Sequence, residues 1–247
     1  MIGGAAALGG LTWPDLPERP LVLVPLGATE QHGPHLSVST DTLIADAVTR
    51  RVIAALGDRV GRPVVLAPAL PYGASGEHEG FPGTISIGHD ALGVVLVELV
   101  RSLARWAGPI VIVNAHGGNE PTLRDTVARM RGEGHAVSTV GLGAAVAVDS
   151  HAGHYETSVM WALVASGEVP AASVRGDRVD RGRCEPLSIL LPELRTHGVQ
   201  AVSPSGVLGD PRSATADDGE RLLGMLVEAV VQSLTAELGM AGVGSRW

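Results

Sequence analysis

One cysteine, Cys184, stands in 247 residues. It has no internal partner, which excludes a disulfide-stapled secreted fold and fits a reducing compartment. Aromatic residues make up only 3% of the chain, so the core has to be built from Ala, Val, Leu and closely approaching glycine backbone. Long Lys/Arg runs are missing and the formal charge is −8, which excludes an electrostatic footprint for DNA or RNA. Anionic small molecules gain nothing from that charge either. The opening MIGGAAALGGL is apolar but too short to span a bilayer and lacks a basic flank. These absences predict a soluble cytoplasmic protein with no nucleic-acid or membrane partner.

What the chain does have is 45% hydrophobic residues, ample for a sizeable core, and a length that suits one large α/β domain over residues 1–247. Apolar runs of strand length alternate with longer helical patterns: 21–26 then about 40–56, 63–68 then about 89–107, 109–113 then about 120–132, and 136–142 then about 155–166. This alternation predicts a three-layer α/β/α fold with a mainly parallel central sheet. LVLVPL and PIVIVN are apolar at both alternating positions, as strands covered on both faces should be. In such sheets functional groups collect at the carboxyl ends of the strands. Residues 168–217 are richer in Pro, Gly and charge and predict loops with short elements such as 187–195, acting as a lid or a subunit contact. A final amphipathic helix is expected over about 217–238.

Three glycine-studded segments carry residues that metal ions prefer. GATEQHGPHLSVSTDT (27–42) holds Glu30, His32 and Asp41, NAHGGNE (114–120) holds His116, and DSHAGHYETS (149–158) holds His151 and Glu156. Glu30 and His32 are spaced i, i+2, which in extended chain turns both side chains to one side. Taken alone, Asp41 is an ordinary helix cap, with Thr40 the other candidate. Joined to a Glu-x-His nine residues earlier, it belongs to a cluster of like charges whose cost a divalent cation would remove.

His116, flanked by Gly117 and Gly118, reads as a ligand, as part of a phosphate-cradling turn, or as a hydrogen-bonded histidine in a strand-to-helix turn. The phosphate reading is the weaker functional one, because neither a G-x-G-x-x-G nor a Walker pattern is present. Glu156 would suit a helix dipole even without a metal. His151 is the candidate acid/base, since an imidazole that titrates near neutrality can protonate an amine leaving group. Glu77 and His78 in YGASGEHEGFPGTIS (72–86), Asn119, and His154 with Tyr155 are the candidates for lining the substrate pocket. Their plainer roles are loop, cap and helix-start residues. His89, His135 and His197 stand alone in polar surroundings and read as surface groups.

Together the three segments resemble the signature set of the creatininase family of metal-dependent amidohydrolases. The resemblance rests on Glu-x-His-Gly-x-His-Leu with Thr-Asp, an Asn-x-His-Gly-Gly-Asn turn, and Asp-x-His-Ala-Gly with Glu-Thr-Ser, in that order over about residues 20–160. It implies an α/β/α fold, two divalent ions per chain (Zn2+ and/or Fe2+, with Mn2+ as an alternative), hydrolysis of a non-standard or cyclic amide, and a homo-oligomer, often a hexamer. Carried over, Glu30 and His116 bind one ion, His32 and Glu156 the other, and Asp41 bridges them. A water or hydroxide between the ions then attacks the amide carbonyl, and His151 protonates the leaving nitrogen. Creatininase itself has a Tyr-Glu, whose Glu is a ligand, where this chain has Gly117 and Gly118, so Glu156 is taken as the substitute and creatinine is disfavoured. Ser37 stands at a usual Pro and Ala115 at a usual Gly.

Within the family, SGEHEGFPGTIS and GVLGDP are similar to the members that mature the mycofactocin precursor peptide. This similarity implies a peptidase whose partner is the modified precursor, from which it releases the crosslinked, decarboxylated C-terminal Val–Tyr unit. Two rival readings are a hydrolase of a small cyclic amide or formamide with the same metals, and a non-catalytic binder of phosphate or a single metal ion. A structural metal site would be closed and built from Cys and His, unlike this carboxylate-rich set.

Overall fold

The computed structural model describes residues 6–143 and 151–241. Residues 1–5 of the apolar opening, 144–148 of the small apolar stretch, and Asp149 and Ser150 of the third segment lie outside them. The chain order is β1 (Ala6–Ala7), β2 (Leu21–Leu26), α1 (Thr40–Leu56), β3 (Val64–Leu66), α2 (Gly88–Leu103), β4 (Ile110–Asn114), α3 (Glu120–Gly132), β5 (Val137–Gly141), α4 (His154–Ala165), α5 (Leu187–Val202) and α6 (Ala216–Ala241), with short 3-10 turns between. The sheet is parallel throughout, in the order β1-β3-β2-β4-β5.

Side chains alternate across it with the period of two that an extended chain imposes. Leu21, Leu23, Val111 and Val113 pack with α1, α4 and α6 on one face. Val22, Val24, Leu26, Ile110 and Ile112 pack with α2 and α3 on the other. Small aliphatic side chains thus fill two cores around a central sheet, each buried Val or Leu stabilising the fold by about 1.5–3 kcal/mol. The result is the expected three-layer α/β/α architecture.

Two elements depart from expectation. A two-residue strand, β1, adds to the edge beside β3. Residues 168–217 are not merely loops with short pieces: α5 runs from Leu187 to Val202, with Pro192 inside it and a break at Gly198, whose φ is 74°. Those two residues interrupt the helical pattern in the sequence. Leu190, Leu194, Val199, Val202 and Leu208 form a third, smaller core with Phe81 against it. Among the described residues no helix is long and apolar enough to cross a membrane.

Candidate metal centre

The ends of β2, β3 and β4 deliver their loops to one edge of the sheet, and Asn119 locks them together. Its Oδ1 accepts the Ala74 N–H at 2.9 Å, and its Nδ2 donates to Gly27 O at 3.0 Å and to Asn114 Oδ1 at 3.2 Å. Asn114 in turn donates to His116 O at 2.8 Å. Asn119 is wholly buried, so it brackets the loops and does not line a pocket.

The expected ligands converge just above this bracket. Glu30, His32, Asp41, His116 and His151 are all buried. The nitrogen Nε2 of His32 lies 3.1 Å from Asp41 Oδ1 and 3.8 Å from Glu156 Oε2. On the other side, His116 Nδ1 lies 3.3 Å from Asp41 Oδ2 and its Nε2 3.3 Å from Glu30 Oε2. Asp41 is therefore no helix cap. The residue ahead of α1 is Ser39, without a side-chain cap, and both oxygens of Asp41 are turned to imidazoles.

Donor atoms fall into three groups, each within 4.8 Å: Glu30, Asp41 and His116; His32, Asp41 and Glu156; and Glu30, His32 and His151. Three carboxylate oxygens in this cluster, Oε1 and Oε2 of Glu30 and Oδ2 of Asp41, are buried without a hydrogen-bond partner. Buried carboxylate oxygens normally have partners, and leaving them bare costs several kcal/mol of desolvation. Ligand distances of about 2.0–2.2 Å place neighbouring donors on one tetrahedral ion roughly 3.4 Å apart, and the separations here bracket that value. The residues therefore fit divalent cations.

Electrostatics point the same way. Burial pushes Glu30 up to about 8, with Asp41 adding to the rise and His116 opposing it. Burial alone would depress His32, but the Asp41 carboxylate, with Glu156 and Glu30, lifts it to about 10. Likewise His116 overcomes burial through Glu30 and Asp41 and reaches about 10. Asp41, despite burial, is held well below the carboxylate range by His32 and His116. Protonated imidazoles thus supply the positive charge that a cation would otherwise bring. Burial, and then the neighbouring His32, depress His78 to about 3 and hold His151 well below its ordinary value.

His78, expected at the pocket, is buried against the cluster with Nε2 at 3.4 Å from Glu30 Oε1. Glu77, half-buried, lies beside it and lines a 510 Å³ cavity with Gly80, His197 and Gln200. His154 turns elsewhere: its Nδ1 lies 3.1 Å from Ser213 Oγ and its Nε2 3.7 Å from Asp218. Tyr155 belongs to the hydrophobic core. The rotation between successive residues in the first turn of α4 explains the difference, since only Glu156 is swung back towards His32. His89 and His197 are exposed and His135 half-buried, as surface groups should be.

The sequence reading passed over Gln31, Ser75 and His35. All three are buried: Gln31 between His78 and His151, Ser75 with its hydroxyl 3.4 Å from His116 Nε2, and His35 with Nε2 2.9 Å from Thr157 Oγ1. A buried-polar pattern around EQHGPH is the signal that could have singled out Gln31 and His35.

The departures from the family pattern also find reasons. A Cβ on Gly118 would meet Ala74 O and His116 Nε2, both at 2.4 Å, so this turn has no room for a ligand side chain. Ser37 donates its backbone N–H to Ser173 O at 2.9 Å, a bond that proline could not make.

A family model named creatininase, described as creatinine amidohydrolase, matches residues 10–234. A relative from Mycobacterium ulcerans (strain Agy99), named mycofactocin precursor peptide peptidase, is 49% identical over 231 residues, covering 92% of this chain and 90% of its own. Among solved structures, a Trp-to-Ala mutant creatininase superposes with a TM-score of 0.77 at 26% identity, covering 95% of this chain and 99% of its own. A Glu-to-Gln mutant creatininase described as Zn-Zn type gives 0.75 at 25% identity, covering 96% and 99%. The matched span takes in strands β2 to β5, the bracket of Asn119 and every residue of the cluster, and on that basis the chain belongs to the creatininase family.

Proposed function

We propose that this chain is a metal-dependent peptidase that acts on the modified mycofactocin precursor peptide, hydrolysing an amide bond to release the C-terminal crosslinked Val–Tyr-derived unit. The hydrolytic reading is carried by the buried, unpartnered oxygens of Glu30 and Asp41 facing imidazole nitrogens. The similarity to the mycobacterial peptidase along nine-tenths of both chains supports the substrate.

Glu30, Asp41 and His116 would hold one divalent ion and His32, Asp41 and Glu156 a second, with Asp41 serving both. Imidazole and carboxylate donors without thiolate suit Zn2+, Fe2+ or Mn2+. Bound there, such ions lower the pKa of water towards ~7 and polarise a carbonyl. His151 supplies the proton traffic. Its Nε2 is anchored 2.9 Å from Gln31 O, and its Nδ1 faces Glu30 Oε1 at 3.8 Å. Kept neutral by burial, the ring takes a proton from the attacking water and returns it to the leaving nitrogen.

We further place residues 1–247 in one domain, with 168–217 as a lid or subunit contact and with a homo-oligomer, a hexamer by family resemblance, as the working form. Packing of Phe81 from the His78 segment onto the α5 core supports the lid reading. The test is mass spectrometry of the products when metal-loaded protein meets the enzymatically crosslinked precursor, with unmodified peptide and creatinine in parallel. Release of the Val–Tyr-derived unit from the modified peptide alone is expected. Turnover of creatinine instead would move the substrate to a small cyclic amide.

A further inference from the structure

We propose that Gln31 is a positioning residue that fixes the tautomers of His78 and His151, and that Gly206 exists to make room for it. The orientation of its amide is set by backbone groups: Oε1 accepts the Gly33 N–H at 2.9 Å, and Nε2 lies 3.1 Å from Gly206 O. Its Nε2 has two protons and three neighbours, the other two being His78 Nδ1 at 2.9 Å and His151 Nε2 at 3.0 Å. The count of donors and acceptors settles where those protons go.

Gln31 O lies 2.9 Å from the same His151 Nε2 and can only accept. That ring nitrogen therefore carries a proton, donates it to the carbonyl, and takes none from the amide. The two amide protons go to Gly206 O and His78 Nδ1. His78 then bears its own proton on Nε2, 3.4 Å from Glu30 Oε1, while the neutral His151 ring presents a bare Nδ1, 3.8 Å from the same oxygen. One glutamine thus sets an N–H donor and a proton acceptor side by side at the edge of the cluster.

An independent observation supports the assignment. Gly206 has φ +80°, and a Cβ there would sit 1.8 Å from Gln31 Oε1. Any side chain would evict the amide. Two residues on, Leu208 pairs with His151 through both backbone bonds, at 3.2 and 2.9 Å. The 202–214 segment, otherwise a plain connection before α6, therefore holds Gln31 with one hand and His151 with the other.

The consequence for turnover rests on the hydrolytic reading above, but the tautomers can be read without it. In zinc-loaded protein labelled with 15N-histidine, long-range 1H–15N couplings distinguish Nδ1–H from Nε2–H, and His78→Asn and His151→Asn assign the signals. Both rings are expected as Nε2–H. Gln31→Met should release the His78 preference, and Gly206→Ala should do so with Gln31 intact. With zinc content and KM held, Gln31→Met should lower kcat by about 10–100-fold, the range for groups that orient the surroundings of a metal. An Nδ1–H form at either ring in the unaltered protein, or an unchanged His78 tautomer in Gln31→Met, would overturn the proposal. A protein with the expected spectra but no peptidase activity would instead sink the hydrolytic reading and leave the positioning role standing.

Discussion

Oδ1 of Asp41 stands 3.1 Å from Nε2 of His32, with both side chains shut away from solvent. Without a metal the contact is an ion pair, because the carboxylate holds the imidazole protonated up to about pH 10. A cation needs the same nitrogen bare. Proton and metal therefore compete for one site, and metal binding must release protons.

The metal-free protein should lose stability as pH rises from 7 to 9. Glu30, raised to about 8 from 4.5, and His32 and His116, raised to about 10 from 6.5, all bind protons in the folded chain that the unfolded chain has shed in this window. More protons in the native state means that stability falls with pH. Below the ordinary histidine range the sign reverses, since His35 and His78 are held neutral by burial, at about 4 and 3. Loading with zinc should counter the alkaline loss, because its ligands deprotonate as pH rises. Thermal unfolding followed by circular dichroism, with and without chelator, tests this; a Tm that climbs from pH 7 to 9 in chelated protein would contradict it.

Asp41→Asn should abolish metal uptake at both positions and with it all hydrolysis. The amide keeps the size of the carboxylate but removes the charge that both candidate sets share. Elemental analysis of the purified variant decides the matter. A full metal complement would show that Asp41 is not shared.

Much of this was legible because the local chemistry had few alternatives. Leu21–Leu26 is apolar at every position and is buried at every position. The i, i+2 spacing of Glu30 and His32 needs only extended chain. Asp41 was harder, since a cap and a ligand look alike until Ser39 is seen to precede α1 and both Asp41 oxygens to face imidazoles. α5 was partly hidden by Pro192 and Gly198, and Gln31 wholly so. Glutamine has no ligand preference to betray it, and its partners His78, His151 and Gly206 lie 47, 120 and 175 residues away in the chain.

His151→Ala should retain both metals and lower kcat by about 10²–10⁴-fold, the usual contribution of a positioned proton carrier. The variant leaves the Glu30–Asp41–His116 and His32–Asp41–Glu156 sets untouched. Metal analysis beside single-turnover rates on the crosslinked peptide checks it. Loss of metal would recast His151 as a ligand through its contact with Glu30 and His32, and full activity would remove it from the mechanism.

Glu156 replaces the missing ligand of the His116 turn only if that turn cannot be refitted. In Glu156→Gln the His32 and Asp41 pair should lose its ion while Glu30, Asp41 and His116 keep theirs, so metal content should halve. Adding Gly118→Glu puts a carboxylate where creatininase itself has one, but its Cβ would meet the Ala74 carbonyl, which Asn119 holds in position through the Ala74 N–H. Overpacking against fixed backbone costs about 1–3 kcal/mol. Gly118→Glu alone should therefore lower Tm, and the double variant should stay at half metal. Recovery of the second ion in the double variant would mean that the turn yields more easily than the packing around Ala74 implies, and that Glu156 and a residue at 118 are interchangeable donors to one site.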